Sequence, residues 1–373
     1  MSSIRFISKL IVGLIFTFSG FVKCVDPMGT AYKIDDYLIY FGLSDFIEYS
    51  LLISVLMCGL ELLIGLMLLS NTSIKIAAWF SLIFMTFYTP LTLYLAIFNP
   101  VTDCGCFGDA LIITNWQTFF KNVILIILAI IIVFYRNKFT ELFSPKYRYL
   151  FLLLLTIIII GFELFSLNRL PIMDFRPYKV GVNIQEGMEI PEGATEDVRD
   201  FIFTYEKDGK TAEFTLNSIP ADDEWTFVSR EEKVISVGYE PPIHNFNITT
   251  LDGFDITDEI LNSGYVCLLI AYDLSESAKY HQEEINILAN IMLQSGYRFL
   301  CLTSSGQDEI SLFKSEHNTP YEFCTTDPTT LKTIIRSNPG LMIMKNGTIM
   351  NKWHHKHLPS PGELSSEIQT VEY

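Results

Sequence analysis

The sequence predicts an α-helical transmembrane bundle, followed by a small β-rich region and an α/β domain. The first observation is composition: half of the 373 residues are hydrophobic and 18% are charged, which argues against an ordinary soluble, collagen-like or disordered chain. The second is charge. The first 166 residues carry ten basic and ten acidic side chains, whereas the remaining 207 carry 16 and 32. We therefore expect the second half to be soluble and, without a basic face, not to bind nucleic acid.

Five apolar runs justify the bundle. Each is close to the ~20 residues that a helix needs to cross the lipid bilayer. They cover residues 6–22, 49–69, 76–98, 118–135 and 149–166. The first run resembles a signal peptide, but it ends in Val22-Lys23-Cys24 without a small-x-small cleavage signature, and more spans follow. We interpret it as a retained helix, giving five transmembrane helices.

The number of transmembrane helices determines which loops lie on the same side of the membrane. With five crossings, the loop after the first helix, the loop after the third helix and the whole C-terminal half lie on one side of the membrane. Basic residues of the short loops favour the other side as cytoplasmic; they are Arg5, Lys9, Lys75, Arg136, Lys138, Lys146 and Arg148. The sequence thus predicts a multi-pass protein of the bacterial inner membrane with an extracytoplasmic, periplasmic C-terminal domain.

Cys104 and Cys106 are the residues that most resemble a chemical site. They stand either side of a single glycine in a loop rich in Gly, Pro and Asp. A bridge between them would close a very small ring, of a kind that tends to be easily reduced. Three interpretations stay open: an exchanging dithiol, a structural bridge to each other or to another cysteine, and a metal site. Metal is the weakest, since the first 166 residues contain no His.

Two further residues of the bundle are candidates. Cys24 ends the first helix on the same side as the Cys104–Cys106 loop and could be a resolving partner, or simply line the helix end. Glu61 is a carboxylate inside a spanning segment, which is costly and often functional. Its role would be contact with a quinone, a proton or a partner, or else a structural hydrogen bond between helices. Glu163 lies near the end of the fifth helix, where we expect it to reach water, and it is assigned no role.

Three motifs in the bundle resemble the DoxX/MauE group of redox-associated membrane proteins. They are Phe18-Ser19-Gly20-Phe21-Val22-Lys23 with Asp26-Pro27 closing the first helix, Glu61-Leu62-Leu63-Ile64-Gly65, and Asp103-Cys104-Gly105-Cys106-Phe107-Gly108. The resemblance covers about residues 1–137 and implies a four-helix membrane bundle. MauE-type members are associated with methylamine utilisation, through maturation of methylamine dehydrogenase, and DoxX-type members with quinone-linked thiosulfate oxidation. The fifth helix and the soluble half depart from that pattern.

The soluble half begins with short alternating segments over residues ~174–238, which predict a small β-rich region. From residue 243 the predicted order is strand, buried strand, helix, strand, helix and a final hairpin at Asn346-Gly347. Residues 243–358 resemble a thioredoxin-like domain of the TlpA or peroxiredoxin-related kind, with Pro339 at the place of that fold's active-site proline. Where the family carries Cys-x-x-Cys, this chain has Leu274-Ser275-Glu276-Ser277-Ala278. We therefore expect no exchange by this domain itself.

The Cys residues and the C-terminal His residues of the soluble half are expected to have structural roles. The cysteines lie in predicted strands and are expected to be core residues; they are Cys267, Cys301 and Cys324. The histidines near the end of the chain are expected on a solvated strand edge and not at a metal site; they are His354, His355 and His357.

Together these patterns predict a membrane domain over 1–137, a fifth transmembrane helix within 138–170, a β-rich region over 171–240 and a thioredoxin-like domain over 241–373. The first functional hypothesis is a thiol-redox or maturation protein in which Cys104 and Cys106 exchange with an extracytoplasmic client protein or reductase. The alternatives are a non-catalytic assembly or binding scaffold, and a quinone-linked oxidoreductase subunit that uses Glu61. Apart from a quinone in that last case, no cofactor is expected.

Overall fold

A computed structural model describes residues 2–101, 104–195, 198–207, 210–215, 218–219, 225–236 and 238–369. Among these residues, five helices are long and apolar enough to span a membrane. The first six helices of the chain are α1 Ser2–Val25, α2 Pro27–Tyr40, α3 Ser50–Leu69, α4 Ile74–Phe98, α5 Asn115–Tyr135 and α6 Pro145–Asn168. All of them except α2 correspond to the five apolar runs, so the predicted helical bundle is confirmed.

Helices α1 and α3 pack almost backbone to backbone. A Cβ built on Gly20 would lie 2.3 Å from the backbone nitrogen of Leu62, and one on Gly65 would lie 2.4 Å from that of Thr17. In a membrane the lipid is as apolar as the protein interior, so burial of apolar surface does not drive helices together. Close packing does, and small residues such as glycine allow the two backbones to come into contact. The pair α1 and α3 is therefore the tight centre of the bundle.

Helix α2 was not predicted. Asp26-Pro27 was interpreted as the end of the first helix, but it begins a new one. The Asp26 side chain accepts a hydrogen bond from the Gly29 backbone nitrogen at 3.0 Å, and Pro27 occupies the first helical position. An Asp cap followed by Pro is a helix-start signal, because Pro fixes a helical φ and the cap satisfies a free N–H group. As a result, a 14-residue helix lies over the end of the bundle.

The β-rich region is present as predicted. After a short helix, α7 Ile184–Met188, come three antiparallel strands: β1 Val198–Lys207, β2 Lys210–Thr215 and β3 Thr226–Ser236. Within the described residues their order is β2-β1-β3. Residues 178–184, which the sequence analysis assigned to this region, pack instead into the α/β domain: Tyr178 and Ile184 belong to its core. The Ile184 backbone nitrogen donates to the Gly347 carbonyl at 2.8 Å.

The α/β domain contains a mixed sheet. Its elements are β4 Thr249–Thr250, α8 Thr257–Leu261, β5 Tyr265–Ile270, α9 Gln282–Gln294, β6 Arg298–Thr303, α10 Gln307–His317, β7 Glu322–Thr325, α11 Pro328–Ile334, β8 Gly340–Lys345, β9 Thr348–His354 and α12 Pro361–Gln369. The described strands lie in the order β4-β7-β6-β5-β8-β9, with β5, β6 and β7 parallel and β8 antiparallel to β5. This is the thioredoxin-like arrangement that the sequence predicts, and its cores lie on both faces of the sheet.

Helix α9 begins later than expected. Helical spacing starts at residue 277, yet the helix starts at Gln282. The preceding segment is fixed by other hydrogen bonds. Asp273 Oδ1 accepts from the Ser275 backbone nitrogen at 2.8 Å, and the Ala278 backbone nitrogen donates to the Asn338 carbonyl at 3.0 Å. The loop is thereby held against the cis Asn338–Pro339 peptide bond.

The expectation of a solvated histidine cluster is wrong for His354. Its side chain is buried at the end of β9, and Nδ1 accepts a hydrogen bond from the Lys356 backbone nitrogen at 3.1 Å. Burial lowers the pKa of His354 to about 3. The imidazole is therefore neutral at pH 7 and is part of the packed sheet edge.

The contact between α1 and α3 predicts a stability effect. We expect Gly20→Ala to destabilise the bundle by about 1–3 kcal/mol, the usual cost of overpacking, because the new methyl group meets the Leu62 backbone. Gly161→Ala in α6 is the matched control, since its Cβ meets nothing within 4 Å. Thermal unfolding of the full chain in detergent measures both. Equal unfolding midpoints for the two variants would contradict the close contact.

Candidate functional site

A cavity of about 730 Å³ lies between the bundle and the α/β domain. Its walls come from α1 to α4, from the loop that carries Cys104 and Cys106, and from α11 of the α/β domain. Polar, aromatic and cysteine side chains of its lining include Lys23, Asp26, Tyr32, Cys58, Glu61, Tyr88, Cys104, Cys106, Asp109 and Arg336. The cavity therefore joins the predicted cysteine site to the soluble half of the chain.

Cys104 and Cys106 are linked by a disulfide, with their Cα atoms 5.5 Å apart. Two hydroxyl groups of the bundle hold the loop backbone. Ser19 Oγ donates to the Cys106 carbonyl at 2.6 Å, and the Tyr37 hydroxyl donates to the Cys104 carbonyl at 3.1 Å. Gly105, between the cysteines, has a φ of +64°, a conformation that glycine adopts readily. The bridge is thus presented to the cavity by a fixed backbone, while Asp103 lies outside the described residues.

A cationic side chain borders this bridge. A Cβ on Gly105 would lie 3.2 Å from Cγ of Lys33, so the stem of Lys33 crosses the glycine. Lys33 is supplied by α2, the helix that the sequence did not predict.

Arg336 connects the α/β domain to the bundle. Its Nε lies 2.8 Å from Oδ2 and 3.1 Å from Oδ1 of Asp26, and its Nη2 lies 3.4 Å from Oδ2 of Asp109. The Arg336 side chain is 8% exposed and that of Asp26 is 17% exposed. Its guanidinium carbon also lies 5.3 Å from the ring centre of Tyr32. A charge pair withdrawn from water in this way holds the two domains in one arrangement.

A second contact lies just before residues 274–278, the segment without cysteine at the start of the region that leads to α9. Tyr272 follows β5, and its hydroxyl accepts a hydrogen bond from the Tyr32 hydroxyl at 3.1 Å. Burial raises the pKa of Tyr32, which keeps this phenol protonated and able to donate. The next residues, 273–278, contain no cysteine. The thiol-free loop and the cis-proline edge therefore face the bundle through Tyr272 and Arg336.

The three cysteines of the α/β domain are buried in its strands, as predicted; they are Cys267, Cys301 and Cys324. Burial raises the pKa of Cys267 and Cys301. None of these three is among the described residues that line the cavity. The sulfur chemistry available at the cavity thus belongs to the bundle.

Glu61 lies in the cavity wall inside the bundle. Its Oε2 accepts from Lys23 Nζ at 2.7 Å, and both side chains are at most 10% exposed. Lys23 Nζ also lies 5.9 Å from the ring centre of Tyr88. The sequence identified Glu61 as an intramembrane carboxylate, but it did not identify Lys23 as its partner.

Cys24 and Cys58 occupy different positions relative to the cavity. Cys58 is in the wall, whereas Cys24 lies behind it and donates to Glu163 Oε1 at 3.3 Å. Glu163 is fully buried, so the expectation that it reaches water is wrong. The reason is that α6 packs against α1 and α3 along this segment. Cys58 was not identified from the sequence. It lies one turn before Glu61 in α3, and this spacing places both residues on the same face of the helix.

Comparison with known families and structures follows the division of the chain into bundle and soluble half. Residues 1–135 match the model of methylamine utilisation protein MauE. The similarity covers about the first third of the chain, the part that contains α1 to α5. A second family model, described only as a domain of unknown function, matches residues 200–236. A comparison with curated proteins gives no match.

Solved structures similar to the chain are thioredoxin-like. A thioredoxin-like protein from Aeropyrum pernix has 17% identity, covers 34% of this chain and 89% of its own, and gives a TM-score of 0.28. A putative protein disulfide isomerase from Bacteroides thetaiotaomicron has 14% identity, coverages of 34% and 82%, and a TM-score of 0.28. A secreted disulfide oxidoreductase from Mycobacterium tuberculosis has 16% identity, coverages of 34% and 96%, and a TM-score of 0.27.

The ion pair between the α/β domain and the helical bundle gives a measurable prediction. Arg336→Ala leaves Asp26 without its cation, and truncating one partner of a buried pair costs about 2–5 kcal/mol. We expect the undocked population to rise roughly 30-fold or more, seen as faster hydrogen exchange in α2. Arg336→Lys should restore docking only in part, since lysine cannot make the two-pronged contact.

Arg298→Ala is the matched control, because its ion pair with Glu259 is exposed to solvent. This variant should leave exchange in α2 unchanged. If Arg336→Ala behaved like Arg298→Ala, the proposed role of the ion pair in docking would be wrong.

Proposed function

We propose that the chain is an integral membrane thiol–disulfide exchange protein whose redox centre is Cys104–Cys106, and that it supports oxidation or maturation of an extracytoplasmic partner protein. One observation carries the proposal: the disulfide lines the cavity against which the thioredoxin-like domain is docked. A bridge that only stapled the loop would have no need of a cavity. The cavity gives a sulfur nucleophile a place from which to attack.

The proposed location is the inner membrane of a bacterium, with the cysteine loop on the periplasmic side. Arg336 contacts both Asp26 and Asp109, so the loops after α1 and α4 and the α/β domain lie at one end of the bundle. Basic residues of the short loops at the opposite end support a cytoplasmic assignment for that end. An oxidising compartment on the cysteine side is where a disulfide would persist.

The exchange is a two-step reaction. A thiolate of the partner attacks one sulfur of the Cys104–Cys106 bridge, forming a mixed disulfide and releasing the other cysteine as a thiolate. A second thiol of the partner then attacks the mixed disulfide, which leaves the partner oxidised and the loop pair reduced. Two electrons and two protons pass to the loop pair. The same steps in reverse would reduce a partner disulfide.

The thioredoxin-like domain acts in this proposal as a docking module. Its loop at residues 273–278 has no thiol, and its three cysteines are buried. What it contributes is one wall of the cavity and the contacts through Tyr272 and Arg336. The domain would thus present the partner, or a reductase, to the sulfur pair. The family name supports a methylamine-utilisation process as one setting for such a partner.

Redox cycling of the loop pair is the first test. Membranes containing the full chain are treated with dithiothreitol or diamide, the thiols are alkylated, and peptides are mapped by mass spectrometry. We expect Cys104 and Cys106 to change together between thiol and disulfide. Wild-type protein should also oxidise reduced, unfolded ribonuclease, and Cys104→Ser and Cys106→Ser should each fall to the background rate. Cys267→Ser, in the soluble core, is the control that should retain the wild-type rate.

The contrary result is a bridge that remains oxidised in dithiothreitol while the protein stays folded. In that case the pair is a structural staple, and the chain is a non-catalytic assembly or binding scaffold.

A second candidate function is a quinone-linked oxidoreductase subunit, favoured by the extent of the cavity. The cavity reaches from the disulfide down to the Lys23–Glu61 pair, between apolar side chains such as Ile53 and Phe87. A quinone ring has carbonyl acceptors that suit the Lys23 ammonium, and Tyr88 offers an aromatic neighbour. A bound quinone would supply a two-electron acceptor. The residues present fit the group, with Lys23, Glu61 and Tyr88 as those that would hold it.

Lipid extraction tests this candidate. If the second function holds, quinone co-purifies with the full chain in detergent and Glu61→Gln lowers its content at least ~10-fold, because the ion pair that orders Lys23 is lost. Glu48→Gln, at an exposed position before α3, is the control. Wild-type protein that carries no quinone, and binds none when it is added, would remove this candidate.

A further inference from the structure

We infer that Cys24 and Cys58, with Glu163 as proton acceptor, form a second dithiol site inside the bundle that exchanges with the Cys104–Cys106 disulfide across the cavity. The inference rests on the proposed function of the loop pair. It adds a redox site within the membrane and assigns a role to a buried carboxylate that the first site does not use.

The packing register of α1 and α3 brings the two thiols to one level. The two helices run antiparallel in close contact, so facing residues have rising numbers along α1 and falling numbers along α3. Three contacts mark the register: Gly13 with Leu69, Thr17 with Gly65, and Gly20 with Leu62. One turn beyond Gly20, α1 reaches Cys24. One turn before Leu62, α3 reaches Cys58, so the same register places these two cysteines opposite each other. Both are fully buried and belong to one packed cluster with Leu62 and Ile159.

A carboxylate is placed against this pair. Glu163 of α6 is fully buried, its Oε1 accepts from Cys24 Sγ at 3.3 Å, and its Oε2 has no hydrogen-bond partner. A Cβ on Gly59 would lie 3.1 Å from that free oxygen, so glycine next to Cys58 leaves room for the carboxylate. An unsatisfied acidic group inside a membrane span is costly and calls for a functional reason. Acceptance of the Cys24 proton supplies one.

Cys58 connects the buried pair to the cavity. It lines the same space as Cys104 and Cys106, whereas Cys24 is on its far side. The Ser54 hydroxyl lies 3.8 Å from Cys58 Sγ, in the turn before it. Cys58 is therefore the thiol of the inner pair that can reach the loop disulfide, and Cys24 is the thiol that can then form a disulfide with Cys58.

The chemistry balances without an outside reagent. Cys58, as thiolate, attacks one sulfur of the Cys104–Cys106 bridge; a mixed disulfide forms, and the released loop sulfur takes the proton that Cys58 lost. Cys24 transfers its proton to Glu163 and attacks Cys58. This forms the Cys24–Cys58 disulfide, and the second loop sulfur leaves as a thiolate that recovers the proton from Glu163. One disulfide and two thiols are consumed and produced, so two electrons move from the inner pair to the loop pair.

Mapping of disulfides in the full chain tests the route. Protein in native membranes is oxidised with diamide, alkylated and digested without reduction. We expect a Cys24–Cys58 linked peptide from wild-type protein. Cys24→Ser/Cys106→Ser and Cys24→Ser/Cys104→Ser each keep Cys58 and one loop cysteine, so in at least one of them diamide should join these two thiols as a mixed disulfide that Cys24 cannot resolve. Adding Cys58→Ser to either is the matched control and should abolish the linked peptide.

Glu163→Gln tests the carboxylate separately. The amide keeps the size and a hydrogen-bond acceptor for Cys24 but is not a base, so formation of the Cys24–Cys58 disulfide should slow by about 100-fold, in the range of lost general-base catalysis. Alkylation of reduced Cys104 and Cys106 should keep its wild-type rate. An unchanged rate of Cys24–Cys58 formation would overturn the role of Glu163, while a merely structural role would lower the unfolding midpoint without this selective slowing.

The outcomes separate the inference from the proposed function. If Cys104–Cys106 cycles while Cys24 and Cys58 remain thiols under every oxidising condition, the inference is overturned and the proposed function stands. If the loop pair never becomes reduced, both fail. A Cys24–Cys58 bridge together with a trapped Cys58 mixed disulfide supports both.

Discussion

The contact of Arg336 with Asp26 is the constraint on which the rest of the site depends. It joins the segment after α11 to the start of α2, and both side chains are largely withdrawn from water. Such pairs add little net stability, because the lost hydration offsets much of the attraction between the charges. Their effect is on specificity: any other placement of the α/β domain would leave a buried guanidinium or carboxylate unpaired. The cavity wall, and the exposure of the Cys104–Cys106 bridge to that cavity, follow from this one arrangement.

The two halves of the chain divide the properties that a thioredoxin-like domain normally combines. The α/β domain keeps the sheet and the cis Asn338–Pro339 edge, and Tyr272, which precedes the thiol-free residues 274–278, contacts the bundle. The helical bundle supplies the sulfur pair through the loop with Cys104 and Cys106. The Lys352 ammonium and Arg176 bind Asp174 at 2.5 and 2.8 Å, fixing the segment after α6 to the sheet; burial and the nearby Arg176 lower the pKa of Lys352 to about 8. The connection between membrane and sheet is therefore ordered rather than a free tether.

Patterns that are local in the sequence predicted most helices and strands. Contacts between residues that are distant in the sequence were not predicted. The five apolar runs and the hairpin at Asn346-Gly347 depend on composition and turn chemistry, which the sequence displays directly. The Lys23–Glu61 pair depends on how α1 and α3 are packed, and a single sequence does not state that register. Glu163 was placed near water because it lies near a helix end, although the packing of α6 buries it. Helix α2 was missed because Asp26-Pro27 both follows one helix and starts another.

The distribution of polar residues inside the bundle argues that its two halves have different tasks. The half away from the soluble domain packs apolar side chains from α1, α3, α4 and α5, among them Val12, Met67 and Ile132, and near its end Lys9 donates to Asn71. Near the cavity, the same helices bury an ion pair, a carboxylate and two thiols. Packing alone would favour apolar residues throughout, because buried polar groups in a membrane are costly. The ion pair, the carboxylate and the two thiols lie next to the disulfide and beneath the docked domain, so the bundle differs along its length in a way that anchoring in the membrane alone does not explain.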